Sequence, residues 1–367
     1  MVFSHPVHDG DQELGPSALI AALPQRQADA LAVPAAPVAR TLVRDLPLVA
    51  FVDEAGPPLL PPPGAQPGGA RLLDDQSACP FRGFAVHRLH ARALERPEPG
   101  LDPRTRGALL HGALHRFWQG LDSQQALLAL DSAQRAARLH ASVEAALEDL
   151  DRKRPGLMGP RLRRIESERL VRLGGGWLDI EAQRPRFSVV SLEAQAITSI
   201  GGLTLRLQPD RIDRLDNGAL VVIDYKTGRV SHADWLGERP AAPQLPLYAT
   251  MLSAQSETVH AIVFAQIRAE RIRPVSLSAA PLALDDAKPV DEVMTSTGRS
   301  GWDGLLADWR ERLERLAAGY LAGEAAVAPA RPTACSHCDL SSLCRLEERR
   351  GLAARLRAES EGEADND

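Results

Sequence analysis

Pro209-Asp210-Arg211-Ile212-Asp213, followed after a short turn by Ile223-Asp224-Tyr225-Lys226-Thr227-Gly228, decides how this chain is read. Ile212 to Tyr225 reads as a β-hairpin, with Asp216-Asn217-Gly218 supplying the turn. Side chains alternate along a strand, so Asp224 and Lys226 share one face and Tyr225 takes the other. The hairpin is expected to bring Asp213 close to Asp224. Two converging carboxylates repel unless a cation lies between them. Oxygen ligands of this kind suit Mg²⁺ or Mn²⁺. Lys226 beside them can orient or deprotonate a water, or steady charge developing on a phosphate. The competing reading is a surface hairpin with an ordinary Asp–Lys ion pair, because Asp-x-Lys is a common tripeptide.

Outward from the hairpin, the hydrophobic period changes with position. Residues 104–150 and 161–173 carry apolar side chains at helical spacing. Residues 187–196, 203–207, 259–266 and 271–277 read as strands, and 244–253 and 302–321 as helices. Helices, then a mostly mixed sheet, then helices predict one α/β or α+β domain, taken as α/β with a mixed central sheet flanked by helices. Residues 56–69 hold six prolines and four glycines, the composition of a linker. This divides the chain into an N-terminal segment and linker (1–70), a main domain (71–350) and an acidic, disordered tail (351–367).

Composition narrows the function. Of 43 basic residues only three are lysines, Lys153, Lys226 and Lys288, and none stands in a Gly-Lys-Ser/Thr sequence. A P-loop nucleotidase is therefore excluded. No apolar run is long enough for a membrane span and no signal peptide is visible, which makes the cytoplasm the expected compartment. The net charge of −5 hides an uneven distribution. Residues 1–66 and the last nine are acidic, leaving a net charge of +4 over 67–358, which permits a nucleic-acid partner.

Asp-Tyr-Lys-Thr-Gly after a short β-run, with Ile-Asp-Arg just upstream, resembles the PD-(D/E)XK nuclease superfamily, and within it the RecB/AddB-type branch. Two more motifs of that branch stand in order. Arg106-Gly107-Ala108-Leu109-Leu110-His111 resembles its R-G-x-x-x-H helix, and Gln244-Leu245-Pro246-Leu247-Tyr248 its Q-L-x-L-Y segment. The resemblance covers roughly residues 71–345. It implies a restriction-endonuclease-like core and Mg²⁺ held by His111, Asp213, Asp224 and the backbone carbonyl of Tyr225. Lys226, Gln244 and Tyr248 complete the implied catalytic set, with Asp210 as second choice to Asp213 and Glu193 as an auxiliary. It further implies a DNA exonuclease acting in double-strand-break repair, with DNA and a helicase subunit as partners. A nuclease-fold scaffold that binds DNA without cutting it is the alternative. Position 115, where the family often has glutamate, is histidine here.

The chain has four cysteines: Cys79 alone, then Cys335-x2-Cys338-x5-Cys344. Four thiolates suit a structural zinc or an iron–sulfur cluster. The spacing resembles the 4Fe-4S staple of AddB-type nucleases, which implies a cluster tying the ends of the domain together through added N- and C-terminal helices. His337 is read as a bystander. Arg161, Arg163, Arg164, Arg169 and Arg172 form a basic helical cluster that is either a solvated, ion-paired face or a phosphate-contacting one. Trp302, Leu306, Trp309 and Leu313, at helical spacing, read as core.

Overall fold

In a computed structural model the described residues are 3–26, 54–59, 64–93, 100–280, 287–290, 300–336, 338–348 and 350–351. The expected acidic tail from 352 onward and His337 lie outside them. The chain divides into two compact units, Met1–Val52 and Asp53–Asp367. Within the first, β1 (His8–Asp9) and β2 (Gln12–Glu13) form a small antiparallel hairpin.

The second unit begins with two short helices, α1 (Ala70–Ala78) and α2 (Pro80–His87), that break at Cys79. Proline at the first position of α2 lacks only an N–H that would have had no helical partner. Four helices follow: α3 (Pro103–Trp118), α4 (Gln124–Ala129), α5 (Ser132–Lys153) and α6 (Pro160–Gln183). The long helical stretch expected over 104–150 is thus three helices. Asp102, Ser123 and Asp131 cap the starts, each accepting a backbone N–H.

The strands are β3 (Phe187–Leu192), β4 (Ala196–Ile200), β5 (Leu203–Leu207), β6 (Arg211–Leu215), β7 (Leu220–Lys226), β8 (Val259–Ile267), β9 (Ile272–Ser278) and β10 (Ala287–Pro289). Helix α7 (Gln244–Ala254) joins β7 to β8, α8 (Gly301–Ala322) follows β10, and α9 (Ser341–Cys344) is a single turn. Strands β3, β6, β7, β8 and β9 form the central sheet, extended at one edge by the three residues of β10. Strands β7 and β8 run parallel around the α7 crossover, while the β3–β6, β6–β7 and β8–β9 pairs are antiparallel. The sheet is mixed, as expected. Strands β4 and β5 stand apart as their own hairpin.

Two apolar layers sandwich the sheet. Val221, Ile223 and Tyr225 of β7 pack with Leu110, Leu114, Phe117, Val143, Leu170 and Trp177 from α3, α5 and α6. Leu220 and Val222, on the other face, pack with Leu72 and Leu73 of α1, Tyr248 of α7, and Trp309 and Leu313 of α8. The alternation along β7 is what sorts these side chains. Trp235 stacks on Phe264 with ring centroids 4.5 Å apart, and its carbonyl accepts from Trp309 Nε1 at 2.8 Å. Trp302, Trp309 and Leu313 are core residues, as read from their spacing, with Leu306 partly buried against them.

The proline- and glycine-rich stretch is not a free linker where it is described. Gly56 N donates to Gly323 O, Leu59 N to Leu321 O, and Gln66 N to Thr204 O. It closes the N-terminal edge of the second unit against the end of α8.

Candidate active site

Register decides which carboxylate meets Asp224. Strands β6 and β7 pair Arg211 with Ile223, Ile212 with Val222 and Asp213 with Val221. Asp213 therefore shares a face with Val221, Ile223 and Tyr225, opposite to that of Asp224. This corrects the expectation that the hairpin brings Asp213 to Asp224. The Asp213 carboxylate is wholly buried and takes Arg184 Nη1 at 2.7 Å and Arg211 Nε at 2.6 Å. Both arginines also bind Glu181, and the Arg211 guanidinium lies 3.9 Å over the Trp118 ring. Asp213 thus belongs to a buried ion network of two arginines and two carboxylates.

Asp210, one residue before β6, occupies the other position. Its Oδ2 lies 3.2 Å from His111 Nδ1 and accepts the Tyr225 N–H at 2.8 Å. His111 comes from the middle of α3, and its ring meets the edge of Tyr225 at 5.7 Å. Gly107, one turn earlier, passes the loop after β7 closely: a Cβ there would stand 3.3 Å from Thr227 Oγ1. Lys226 Nζ lies 2.5 Å from Asp224 Oδ2, 3.4 Å from Gln244 Oε1 and 5.7 Å from the Phe264 ring centroid. The Lys226 ammonium is thus the partner of that buried oxygen. Gln244 Nε2 donates to Tyr248 Oη at 3.0 Å, which donates to the Gln208 carbonyl at 3.2 Å. Of the residues expected in the site, His111, Asp224, Tyr225, Lys226, Gln244 and Tyr248 come together, and Asp213 does not.

The electrostatics follow from burial and charge. Burial first, and the neighbouring Asp210, push Asp224 up to about 6 against the pull of Lys226. Burial alone would raise Asp210, but its hydrogen bond from His111 and that cation's charge hold it below the usual range. His111 is raised: burial opposes its charge, and Asp210 outweighs burial. Lys226 is raised likewise, burial being outweighed by Asp224. Burial also pushes the Tyr248 phenol up, so it stays a neutral donor.

Asp74 on α1 escaped the sequence reading. Its Oδ1 is buried without a hydrogen-bond partner, and burial pushes it up to about 7, with Lys226 pulling it down and Asp75 and Asp224 pushing it further up. In Leu72-Leu73-Asp74-Asp75 nothing separates it from its neighbour, which instead binds Arg82, His87 and Arg71. Asp74 and Asp224 hold protons more tightly in the fold than in the unfolded chain, where aspartates titrate near about 3.9. From about pH 4 to about pH 7 the unfolded state therefore releases these protons first, and the metal-free fold loses stability as pH rises. Asp74→Asn is expected to flatten that loss. In thermal melts the variant gains on the wild type at about pH 8 relative to about pH 5; parallel curves would contradict it.

Two further residues border the site. Glu193 follows β3 in the left-handed region (φ 48°), donates its N–H to Asp210 O at 3.1 Å, and faces His115 Nδ1 at 3.7 Å. A non-glycine residue held at positive φ marks local strain. The arginine cluster of α6 is largely consumed by ion pairs: Arg163 with Glu144 and Asp151, Arg164 with Glu168, Arg169 with Glu166.

Two carboxylates, Asp224 buried and Asp210 nearly so, with the His111 imidazole beside them make a donor set that Mg²⁺ or Mn²⁺ can take. Among the described residues no group of three or more such side chains stands ready-arranged around one point; Asp224 is turned to Lys226, and Asp210 to His111. The same holds for the cysteines. Burial, then the thiols of Cys338, Cys79 and Cys344, raise the Cys335 thiol, yet the four are not in ligand positions. The chain ends are brought together there: Phe81 N donates to Ala326 O and Ala330 N to Ala78 O.

No helix among the described residues is long and apolar enough to cross a membrane. No curated protein matches the sequence. A solved structure, described as the crystal structure of SSO0001, aligns over 74% of this chain and 93% of its own at 17% identity, with a TM-score of 0.27. The family comparison is decisive, since the PD-(D/E)XK nuclease superfamily profile matches residues 73–345, from α1 to just past the last cysteine. That span holds the mixed sheet, the Asp224–Lys226 strand end and the Asp210–His111 pair, and this chain belongs to the PD-(D/E)XK nuclease superfamily.

Proposed function

We propose that this chain is a divalent-metal-dependent deoxyribonuclease of RecB/AddB type, acting as an exonuclease in double-strand-break repair beside a helicase partner. The observation that carries the reading is the meeting of Asp224–Lys226 with Asp210–His111 at the ends of β6 and β7. His111, Asp210, Asp224 and the Tyr225 carbonyl would hold the metal. When bound, Mg²⁺ supplies Lewis-acid stabilisation of charge on the scissile phosphate and lowers the pKa of water. Lys226 supplies a positive charge or a proton acceptor at the attacking water. Gln244, tied to Tyr248, fixes the Lys226 ammonium from the α7 side. Tyr225 N–H and His111 hold Asp210 in one orientation.

The test is incubation of the purified protein with Mg²⁺ or Mn²⁺ and single-stranded or duplex-end DNA. Metal-dependent cleavage, lowered at least about 10²-fold by Lys226→Ala, is expected. DNA binding without cleavage would replace this reading with the scaffold one.

The four thiolates of Cys79, Cys335, Cys338 and Cys344 would hold a 4Fe-4S cluster that clips the ends of the domain. Closing so long a loop removes much entropy from the unfolded chain. Anaerobically purified protein should be brown and contain iron, and Cys79→Ala should lose both iron and thermal stability. A colourless protein carrying zinc, or a Cys79→Ala variant of full iron content and stability, would sink the cluster.

A further inference from the structure

The hairpin that joins β8 to β9 stands at the same end of the sheet as Asp224 and Lys226. Lys226 lies opposite Gln266 in the β7–β8 pair, and Gln266 opposite Arg273 in the β8–β9 pair. Residues paired across strands point to one face, so all three share the face of Asp224. Neighbouring strands lie about 4.8 Å apart, which puts Arg273 about 10 Å across the sheet from Lys226. Arg268 and Arg271, each two residues nearer the turn, return to that face. They exchange both backbone hydrogen bonds, at 3.1 and 3.2 Å, and so stand directly opposite each other.

The row is built, not frayed. Gln266 is buried; its Nε2 donates to the Gly228 carbonyl at 3.0 Å and its Oε1 accepts from Arg273 Nε at 3.1 Å. One amide thus ties the loop after Lys226 to the Arg273 guanidinium. Below the turn, Ile267 pairs with Ile272, and Ile272 lies against α6, where a Cβ on Gly176 would stand 2.6 Å from its Cδ1. Like charges directly opposite in a β-ladder repel, and Arg268 and Arg271 are such a pair. Glu270 answers Arg268 at 3.1 Å, but that carboxylate is 72% exposed, where an ion pair contributes little. A phosphate laid across the two arginines relieves their repulsion.

We propose that Arg268, Arg271 and Arg273 form a phosphate subsite that holds the backbone of a single DNA strand beside the scissile bond, with Gln266 as the positioning residue for Arg273. The purpose of the subsite rests on the nuclease reading; its existence does not. A guanidinium presents a planar fork that matches phosphate oxygens. Contacts to phosphate carry no base information, so the subsite is indifferent to sequence.

The experiment is fluorescence anisotropy of a labelled single-stranded oligonucleotide on the full chain, across a salt series and in EDTA so that nothing is cut. The triple variant Arg268→Met/Arg271→Met/Arg273→Met should weaken binding at least about tenfold at about 0.1 M salt and flatten the salt slope by about 2, roughly 0.7 per phosphate contact. Arg273→Lys should keep the slope and lose about threefold in affinity, because the charge stays and the fork goes. Gln266→Met should weaken binding about threefold when residue 273 is arginine and less than about 1.5-fold when it is methionine. Equal loss on both backgrounds would make Gln266 merely structural and overturn its role. With Mg²⁺ present, the triple variant's loss in cleavage should fall on KM rather than kcat. Arg164→Met, which removes a charge paired with Glu168 on α6, should leave affinity and slope as they are. An unchanged slope in the triple variant, or as large a change per charge in Arg164→Met, would overturn the subsite. So would a wild type that binds no single strand. A wild type that binds with the expected slope and cuts nothing would sink the nuclease reading alone.

Discussion

Asp213→Ala is expected to destabilise the fold by about 3–5 kcal/mol, the usual consequence of removing one partner from a buried ion network. Asp213 takes one guanidinium from the C-cap of α6 and another from β6. Removing it leaves two arginines in the apolar layer facing one carboxylate, Glu181. Neither can lose its charge, because a guanidinium stays protonated in proteins; in the intact fold the charges of Asp213 and Glu181 outweigh the burial that opposes both cations. Denaturant unfolding should show a lower midpoint at similar slope. A variant that unfolds at the wild-type midpoint would show that the network is slack.

The second large effect concerns activity. Asp210→Asn and Asp224→Asn are each expected to lower metal-dependent cleavage about 10³-fold or more, as loss of a group that fixes charge at a reacting phosphate does. Both should stay folded. Asp224→Asn removes a carboxylate that burial already disfavours, and Asp210 sits at the strand end, outside the Arg184–Arg211 network. Paired with Asp213→Ala, these variants separate two explanations of one motif. Asp213 should fail by melting and Asp210 by not cutting. Cleavage at the wild-type rate by a folded Asp210→Asn would remove Asp210 from the site.

The motif Pro-Asp-Arg-Ile-Asp offered two aspartates, and strand alternation within the segment did not choose between them. The choice depends on register across the hairpin, and register follows from where the turn closes. Leu215 and Ala219 pair around Asn217 and Gly218, whose φ is 85°. That places Arg211 opposite Ile223 and leaves Asp210 beside Asp224. Gln244 and Tyr248 were legible because a helical turn puts residues four apart together, and their hydrogen bond follows from that spacing. The helices and long strands were legible from hydrophobic period. Asp74 was not, because α1 is short, carries two adjacent aspartates, and packs on α7 and α8, far along the sequence.

The hydrogen bonds of Gly56 to Gly323 and of Ala325 to Glu54 close the second unit end to end. Synthesis proceeds from the N-terminus, so α1 has its neighbours on α7 and α8 only after those helices have left the ribosome. Contacts of such sequence separation form late and slowly. The nascent chain thus carries α1 well before the strand-end carboxylates, packs it on α7 once residue 254 has emerged, and covers it with α8 only when residue 322 is out.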